Sequence, residues 1–493
     1  MDARGAEQRL FSILVAIVAA VTLLRIVALC LSPLELYPDE AQYWWWAQTP
    51  DIGYFSKPPL IAWIIGATTA LFGDQEWAIR LAMPLLHAAA SLLLYGIARE
   101  TYPKATTIAF WSALAYLTIP GVSYSATLAS TDAPLLFFWA LALFAFLKAE
   151  QSAVWGWPLL CGVALGLGVL SKYAMLFFLI GVALACLMSL RARKFVLSGR
   201  GFVAGLAALA IVAPNMMWNV SHDFATLAHI RANAAWTRAS FSPLHLLGFV
   251  AGQFGVFGPV LMAAWLAALW RIARAKPQAE TGEIVLCAFS APSLVLITVQ
   301  AFVVDANANW AATAYVAAVP LAVAEILAHW PRIWLWISFA LHGALLLLLT
   351  VILVVPSAAE HLGIANVFKR EAGWRMLAGA VSAEAARGDY TAIASDNRSV
   401  TAELLYYLGP RGRSVRIWDP DTTNHNHFEM TMRLTPPAPR VLLVVRPEDA
   451  VQVLSTFDSN RLLSRVVEQV GGHRPRVMLL YDARDYRGPQ NLN

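Results

Sequence analysis

Long apolar stretches, separated by short polar ones, dominate the first seven-tenths of the chain. The first, Leu10 to Leu31, is long enough to cross a bilayer, which takes about 20 residues as helix. Further apolar runs follow near 81–98, 105–119, 133–147, 157–171, 174–190, 201–218, 244–270, 284–304, 310–328 and 333–355. The pattern predicts about eleven transmembrane helices. A basic leader with Arg4 and Arg9 precedes the first run, as in a secretory signal. The run is full length, however, and no small-residue cleavage site follows it, so it reads as a retained helix. Arg25, near its outer end, reads as snorkelling to the interface.

From about residue 357 the pattern changes. YTAIAS (390–395) and VLLVV (441–445) read as buried strands, and 371–387 and 397–408 as helices. Alternation of the two predicts a small α/β domain. The expected organisation is a membrane domain over 1–356, with a first outer loop at 33–80 carrying interfacial helices, followed by a water-compatible α/β domain over 357–493.

Composition agrees with the pattern. Apolar residues make up 59% of the chain and charged residues 14%, against about 25% charged in soluble domains. The net charge of +5 reflects basic loops, and no nucleic-acid module is present. Cys30, Cys161, Cys186 and Cys287 have no paired spacing and read as packing residues. Charge placement orients the chain. With a cytoplasmic N-terminus, Arg4, Arg9, Arg99, Lys104, Lys148, Arg191, Arg193, Lys194, Arg200, Arg271, Arg274, Lys276 and Arg332 fall inside, and only Lys57, Arg80, Lys172, Arg231 and Arg238 outside. The positive-inside rule therefore puts the first loop and the C-terminal domain on the outer side of the membrane.

That first loop, YPDEAQYWWWAQTPDIGYFSKPPLIAW (37–63), concentrates the chemistry. Pro38 suits a first helical turn, with Asp39 and Glu40 at the positive helix end. Trp44, Trp45 and Trp46 suit a helix lying in the interface. Lys57 sits between Tyr54-Phe55 and Pro58-Pro59. A residue before proline avoids helix, so a stiff extended segment would aim the ammonium at phosphate depth, with a carboxylate nearby as base.

Other residues carry two readings each. Asp132 is a helix N-terminal acid or an active-site acid. Lys172 is an interfacial lysine or a phosphate ligand, and Arg80 reaches a phosphate or anchors the next helix. His222 and Asp223 open a polar loop able to position an acceptor. Asn309-Trp310 reads as a cap with an interface anchor. His425 and His427 invite a zinc reading, but lack further ligands.

PDEAQYW, GYFSKPPLIAW, ASTDAPLLFFW (129–139), GLGVLSKYAM (166–175) and WNVSHDF (218–224), in that order, resemble the bacterial membrane glycosyltransferases related to protein O-mannosyltransferases, the superfamily that includes the lipid A aminoarabinose transferases. The resemblance implies a GT-C fold and an inverting enzyme that moves one sugar from a polyprenyl-phosphate-sugar donor to lipopolysaccharide core or lipid A, rather than to protein. It implies Asp39 as the catalytic aspartate with Glu40 its neighbour, Lys57 as a contact to the lipid phosphate, and Asp132 as a second acidic position. Substrate-binding candidates are then Glu40, Tyr54, Lys57, Arg80, Asp132, Lys172, His222 and Asp223. The aminoarabinose enzymes have a glutamate before the lysine where this chain has Ser56. No metal site is therefore assigned, and a divalent cation stays open as cofactor. Two rival classes are a polyprenyl-linked glycan ligase and a secondary transporter or lipid flippase. No internal repeat supports the transporter.

Overall fold

A computed structural model describes residues 3–234, 239, 241–274, 281–421, 423–470 and 475–489. Arg238 and Lys276, used above for orientation, lie outside the described residues. The chain forms two compact units, one of residues 1–30, 57–61 and 80–350, the other of 31–56, 62–79 and 351–493. A single boundary at residue 356 therefore does not describe it, because the first loop belongs largely with the C-terminal residues.

Each predicted apolar run contains helix. Among the described residues six helices are long and apolar enough to cross a membrane, or seven if one bent pair counts as a span. The bent pair is Pro243–Phe257 and Pro259–Arg274, which turn by 105° where the pattern predicts one continuous run. Gly258 makes the corner at φ +90, a backbone state that disfavours side chains, and a Cβ there would strike the ring of His342. Helices Gly156–Ser171 and Gly199–Ser221 pack closely through Gly162, whose added Cβ would lie 2.1 Å from the Ala204 carbonyl oxygen. Trp139, Phe146, Phe178, Trp265, Phe289 and Tyr315 fill the interior of this unit. Leu206, Leu209, Met217, Leu244 and Leu247 are exposed on its helices, as lipid-facing residues are.

Arg25 corrects an expectation. It does not snorkel. It is buried and donates from Nη2 to the Leu117 carbonyl (2.7 Å) and to Ser123 Oγ (3.3 Å). Pro120 ends helix Thr106–Thr118 and starts the short helix Pro120–Ser125. A helix end leaves carbonyls without partners, and Arg25 covers one with a cation at the negative end of the dipole.

The second unit holds a sheet which, among the described residues, has five strands: β1 (Ala392–Ser395), β2 (Val415–Ile417), β3 (Arg440–Val445), β4 (Phe457–Gln469) and β5 (Pro475–Tyr486), in the order β2-β1-β3-β5-β4. β1 runs parallel to β2 and β3, while β5 is antiparallel to both β3 and β4. Helices Trp374–Ala385 and Arg398–Tyr407 accompany it. The first loop is tied to these helices. Glu35 accepts from the Arg375 backbone N–H (3.1 Å) and from that of Trp374, placing a carboxylate at a helix N-terminus, and the Tyr407 hydroxyl accepts from Leu36 N (2.8 Å).

Candidate active site

Helix Pro38–Gln48 starts as predicted, with proline in its first turn. Glu40 is fully buried, and its carboxylate accepts from the Tyr37 backbone N–H (2.9 Å), closing the first turn on itself. Asp39 points elsewhere. Its Oδ1 accepts from Arg398 Nη1 (2.9 Å), and the same nitrogen donates to Gln42 Oε1 (2.8 Å), one helical turn on. Both side chains of the ion pair stay more than a third exposed. Asp39 Oδ2 makes no hydrogen bond among the described residues, so one oxygen is held and the other is available.

Arg398 owes its place to Asn397. The Asn397 side chain caps helix Arg398–Tyr407 by accepting from the backbone N–H groups of Ser399 (2.9 Å) and Val400 (3.3 Å). Sequence reading missed Arg398 and Gln42. The Asn-Arg helix start was visible, but nothing in it points to a partner 359 positions away.

The tryptophans do more than anchor. Trp44 is buried, and its indole N–H donates to Asp74 Oδ1 (2.7 Å). Trp46 stacks on Tyr54 with centroids 4.3 Å apart. Tyr54, a predicted substrate contact, is 1% exposed. Its hydroxyl donates to the Trp46 carbonyl (3.0 Å) and accepts from Asp51 N (3.0 Å), and burial pushes it up to about 12. It thus braces the loop from within. His427 packs edge-on against Trp46 and Tyr54, and His425 faces Asp421 at 3.6 Å. Among the described residues no three of His, Cys, Asp and Glu gather to hold a metal ion.

The other unit carries a second acidic centre. Asp132 is the first residue of helix Asp132–Gln151, so the capping position and the cluster position are the same place. Its Oδ1 accepts from Lys172 Nζ (2.6 Å) and its Oδ2 from Asn309 Nδ2 (2.7 Å). Lys172 follows helix Gly156–Ser171 in extended conformation, and Asn309 lies in a short 3₁₀ turn, Ala308–Ala311. Lys57 lies within electrostatic reach of Asp132. Asn309, expected as a cap, is instead part of this cluster. Arg80 is fully buried at the end of helix Glu76–Arg80. His222 stacks on Trp218 (4.0 Å), with Nδ1 2.9 Å from the Trp218 carbonyl, and Asp223 adopts φ 53. No hydrogen bond or ion pair joins either to Asp132 among the described residues.

Comparison with known proteins decides the family. Residues 56–218 match the family described as dolichyl-phosphate-mannose-protein mannosyltransferase. The lipid A galacturonosyltransferase RgtD of Rhizobium johnstonii is 39% identical over 404 residues, 82% of this chain and 83% of its own. The chain belongs to the GT-C family of lipid A and lipopolysaccharide glycosyltransferases. Within that family, the lipopolysaccharide core galacturonosyltransferase RgtA of the same organism is 32% identical over 41% of this chain and 40% of its own. The crystal structure of ArnT from Cupriavidus metallidurans bound to undecaprenyl phosphate shares the fold, with a TM-score of 0.65 at 19% identity over 94% of this chain and 97% of that one. This member is accordingly a multi-pass membrane protein with several apolar helices and a C-terminal sheet domain.

Proposed function

We propose that the protein transfers a single sugar, with inversion, from a polyprenyl-phosphate-sugar to a hydroxyl or phosphate of lipid A or lipopolysaccharide core. The relative matched over 82% of the chain is named for galacturonosyl transfer to lipid A, which makes galacturonic acid the sugar to test first. In this reading the protein lies in the bacterial inner membrane with its N-terminus cytoplasmic. The C-terminal sheet domain and the reaction are periplasmic.

The observation that carries the mechanism is Asp39, fixed through Oδ1 by Arg398 while Oδ2 is left for a substrate proton. As the acceptor oxygen attacks the anomeric carbon, its proton passes to Asp39, and the bond from that carbon to the phosphate oxygen breaks. The electron pair leaves with polyprenyl phosphate. Such general-base assistance is worth about 10²–10⁴-fold. Lys57 and Lys172 neutralise charge on the departing phosphate, a role suited to a compact ammonium. Asp132 aims Lys172, whose other two N–H donors have no partner among the described residues.

The test is mass spectrometry of lipid A and core from a deletion strain, complemented with wild type or Asp39→Asn. One sugar lost, and restored by wild type alone, supports the reading. An unchanged envelope, or full restoration by Asp39→Asn, overturns it. Transfer of a whole glycan would make the protein a ligase.

A further inference from the structure

The second unit contains a cavity of about 770 Å³ that the mechanism above leaves unused. Cavities of roughly 300–1,000 Å³ are the size that buries small ligands. Its aromatic walls come from Trp44 and Trp45 on helix Pro38–Gln48 and from Tyr406 and Tyr407 at the end of helix Arg398–Tyr407.

These walls are set in place. Trp44 is held by its bond to Asp74 and by an edge-on contact with Tyr406 (centroids 4.9 Å apart, 85°). The Tyr406 hydroxyl donates to the Asp74 carbonyl, and Tyr406 and Tyr407 meet edge-to-face at 4.7 Å. The Tyr407 hydroxyl is fixed by Leu36 N and Glu76. Rigid aromatic surface costs little ordering on binding.

The rim is polar without a dominant sign. Arg375 pairs with Glu76. Asp74 spends one oxygen on Trp44, while the Arg413 side chain has no partner among the described residues. Two guanidinium groups face two carboxylates, beside the amides of Gln48 and Gln75. Aromatic faces with donors and acceptors in balance suit a ligand that has a C–H face and a ring of hydroxyls.

We propose that this cavity is a saccharide pocket that seats a sugar of the glycolipid acceptor. The assignment of the occupant as acceptor rests on the transferase reading. At about 1.5 Å per residue Trp44 lies roughly 7.5 Å along the helix axis from Asp39, and at about 100° per residue it faces a different flank. The pocket is thus separate from the Asp39 face, yet within reach of a disaccharide that presents its far end for reaction.

The test uses full-length protein in detergent micelles, with undecaprenyl-phosphate-linked galacturonate as donor, lipid A as acceptor, and a de-acylated glucosamine disaccharide as binding probe. Trp45→Ala is expected to raise the acceptor KM roughly tenfold, the scale of one lost aromatic contact, and Arg413→Gln by a similar factor, the scale of one lost charge-assisted hydrogen bond, with kcat and donor KM within about twofold of wild type. Disaccharide binding should weaken in parallel, and Trp45→Phe should retain it. Wild-type acceptor KM and probe binding in both variants would overturn the pocket and leave the transferase reading intact. Probe binding that depends on Trp45 in a protein that transfers no sugar would overturn the transferase reading and sustain the pocket.

Discussion

Asp39 and Asp132 are the same residue type in the same local setting, each in the first turn of a helix in its own unit, and the two are treated very differently. Asp132 has both oxygens engaged, one by Lys172 and one by Asn309, and its side chain is 14% exposed. Asp39 has one oxygen engaged, and its side chain is 37% exposed. A carboxylate with both oxygens claimed, one by a cation and one by an amide, is a structural hub. One held on a single oxygen is oriented and still able to take a proton. The partners, not the residue or its place in the helix, separate a positioning acid from a base.

The largest effect should come from the free oxygen. Asp39→Asn keeps the shape and removes the base, so transfer should fall about 10²–10⁴-fold with unfolding temperature unchanged. Single-turnover assays and thermal unfolding of the same preparation check both halves. Full activity in the variant would erase the distinction between the two acids. At Asp132 the effect should fall on stability and, because Lys172 also serves the departing phosphate in the proposed mechanism, on transfer as well. The pair is only partly buried, so leaving Asp132 without its cation should cost about 1–3 kcal/mol, and Lys172→Ala should lower the unfolding temperature. The double change Asp132→Asn with Lys172→Met should recover most of the loss. Loss of transfer with no loss of stability in Lys172→Ala would mean that Asp132 holds Lys172 for the phosphate alone and that the pair is not structural.

A third carboxyl sharpens the contrast through pH. Asp396 is buried, and burial followed by the hydrogen bond its protonated carboxyl donates to Asp449 raises it to about 7. An Asp whose folded value lies above its unfolded one retains a proton that the unfolded chain has released. Its stabilisation is therefore full below about 4 and disappears as pH rises through about 7. The second unit should unfold several degrees lower at pH 8 than at pH 5.5, and Asp396→Asn should flatten that difference. An unchanged slope in the variant would refute the assignment.

How far the chain was legible follows the range of the interactions. Helix positions, the strands at Ala392–Ser395 and Arg440–Val445, and the proline-led start of Pro38–Gln48 were readable, because local period and capping set them. β4 was not, since its residues are mostly exposed or half-buried and it carries Arg461, Arg465 and Glu468 where a buried strand has apolar residues. The corner at Gly258 sat inside an unbroken apolar run, and only the crowding by His342 shows why glycine stands there. Asp39, Lys57 and Asp132 were singled out by type and place. Arg398 and Gln42 were not, and Asn309 was read as a cap, because their roles are contacts made across the fold.

The hold on Asp39 should matter less than Asp39 itself. Arg398→Ala removes one charge-assisted bond and the orientation it provides, which should cost roughly tenfold in kcat, near the about 1.5–3 kcal/mol range of such bonds, with acceptor KM unchanged. Arg398→Lys should recover part of it. The smallest effect lies one residue back. Asn397 accepts from Ser399 and Val400 and so caps the helix that carries Arg398. Asn397→Ala should cost about 1 kcal/mol of stability, and Asn397→Asp, which keeps the acceptor, should cost little. If the cap acts only on the helix, kcat in Asn397→Ala should stay near wild type. If it also aims Arg398, kcat should fall in the same direction as in Arg398→Ala, and the effect should vanish when both changes are combined. That double-mutant comparison, in kcat and in unfolding temperature, separates a helix that merely stands from one that presents its first residue to Asp39.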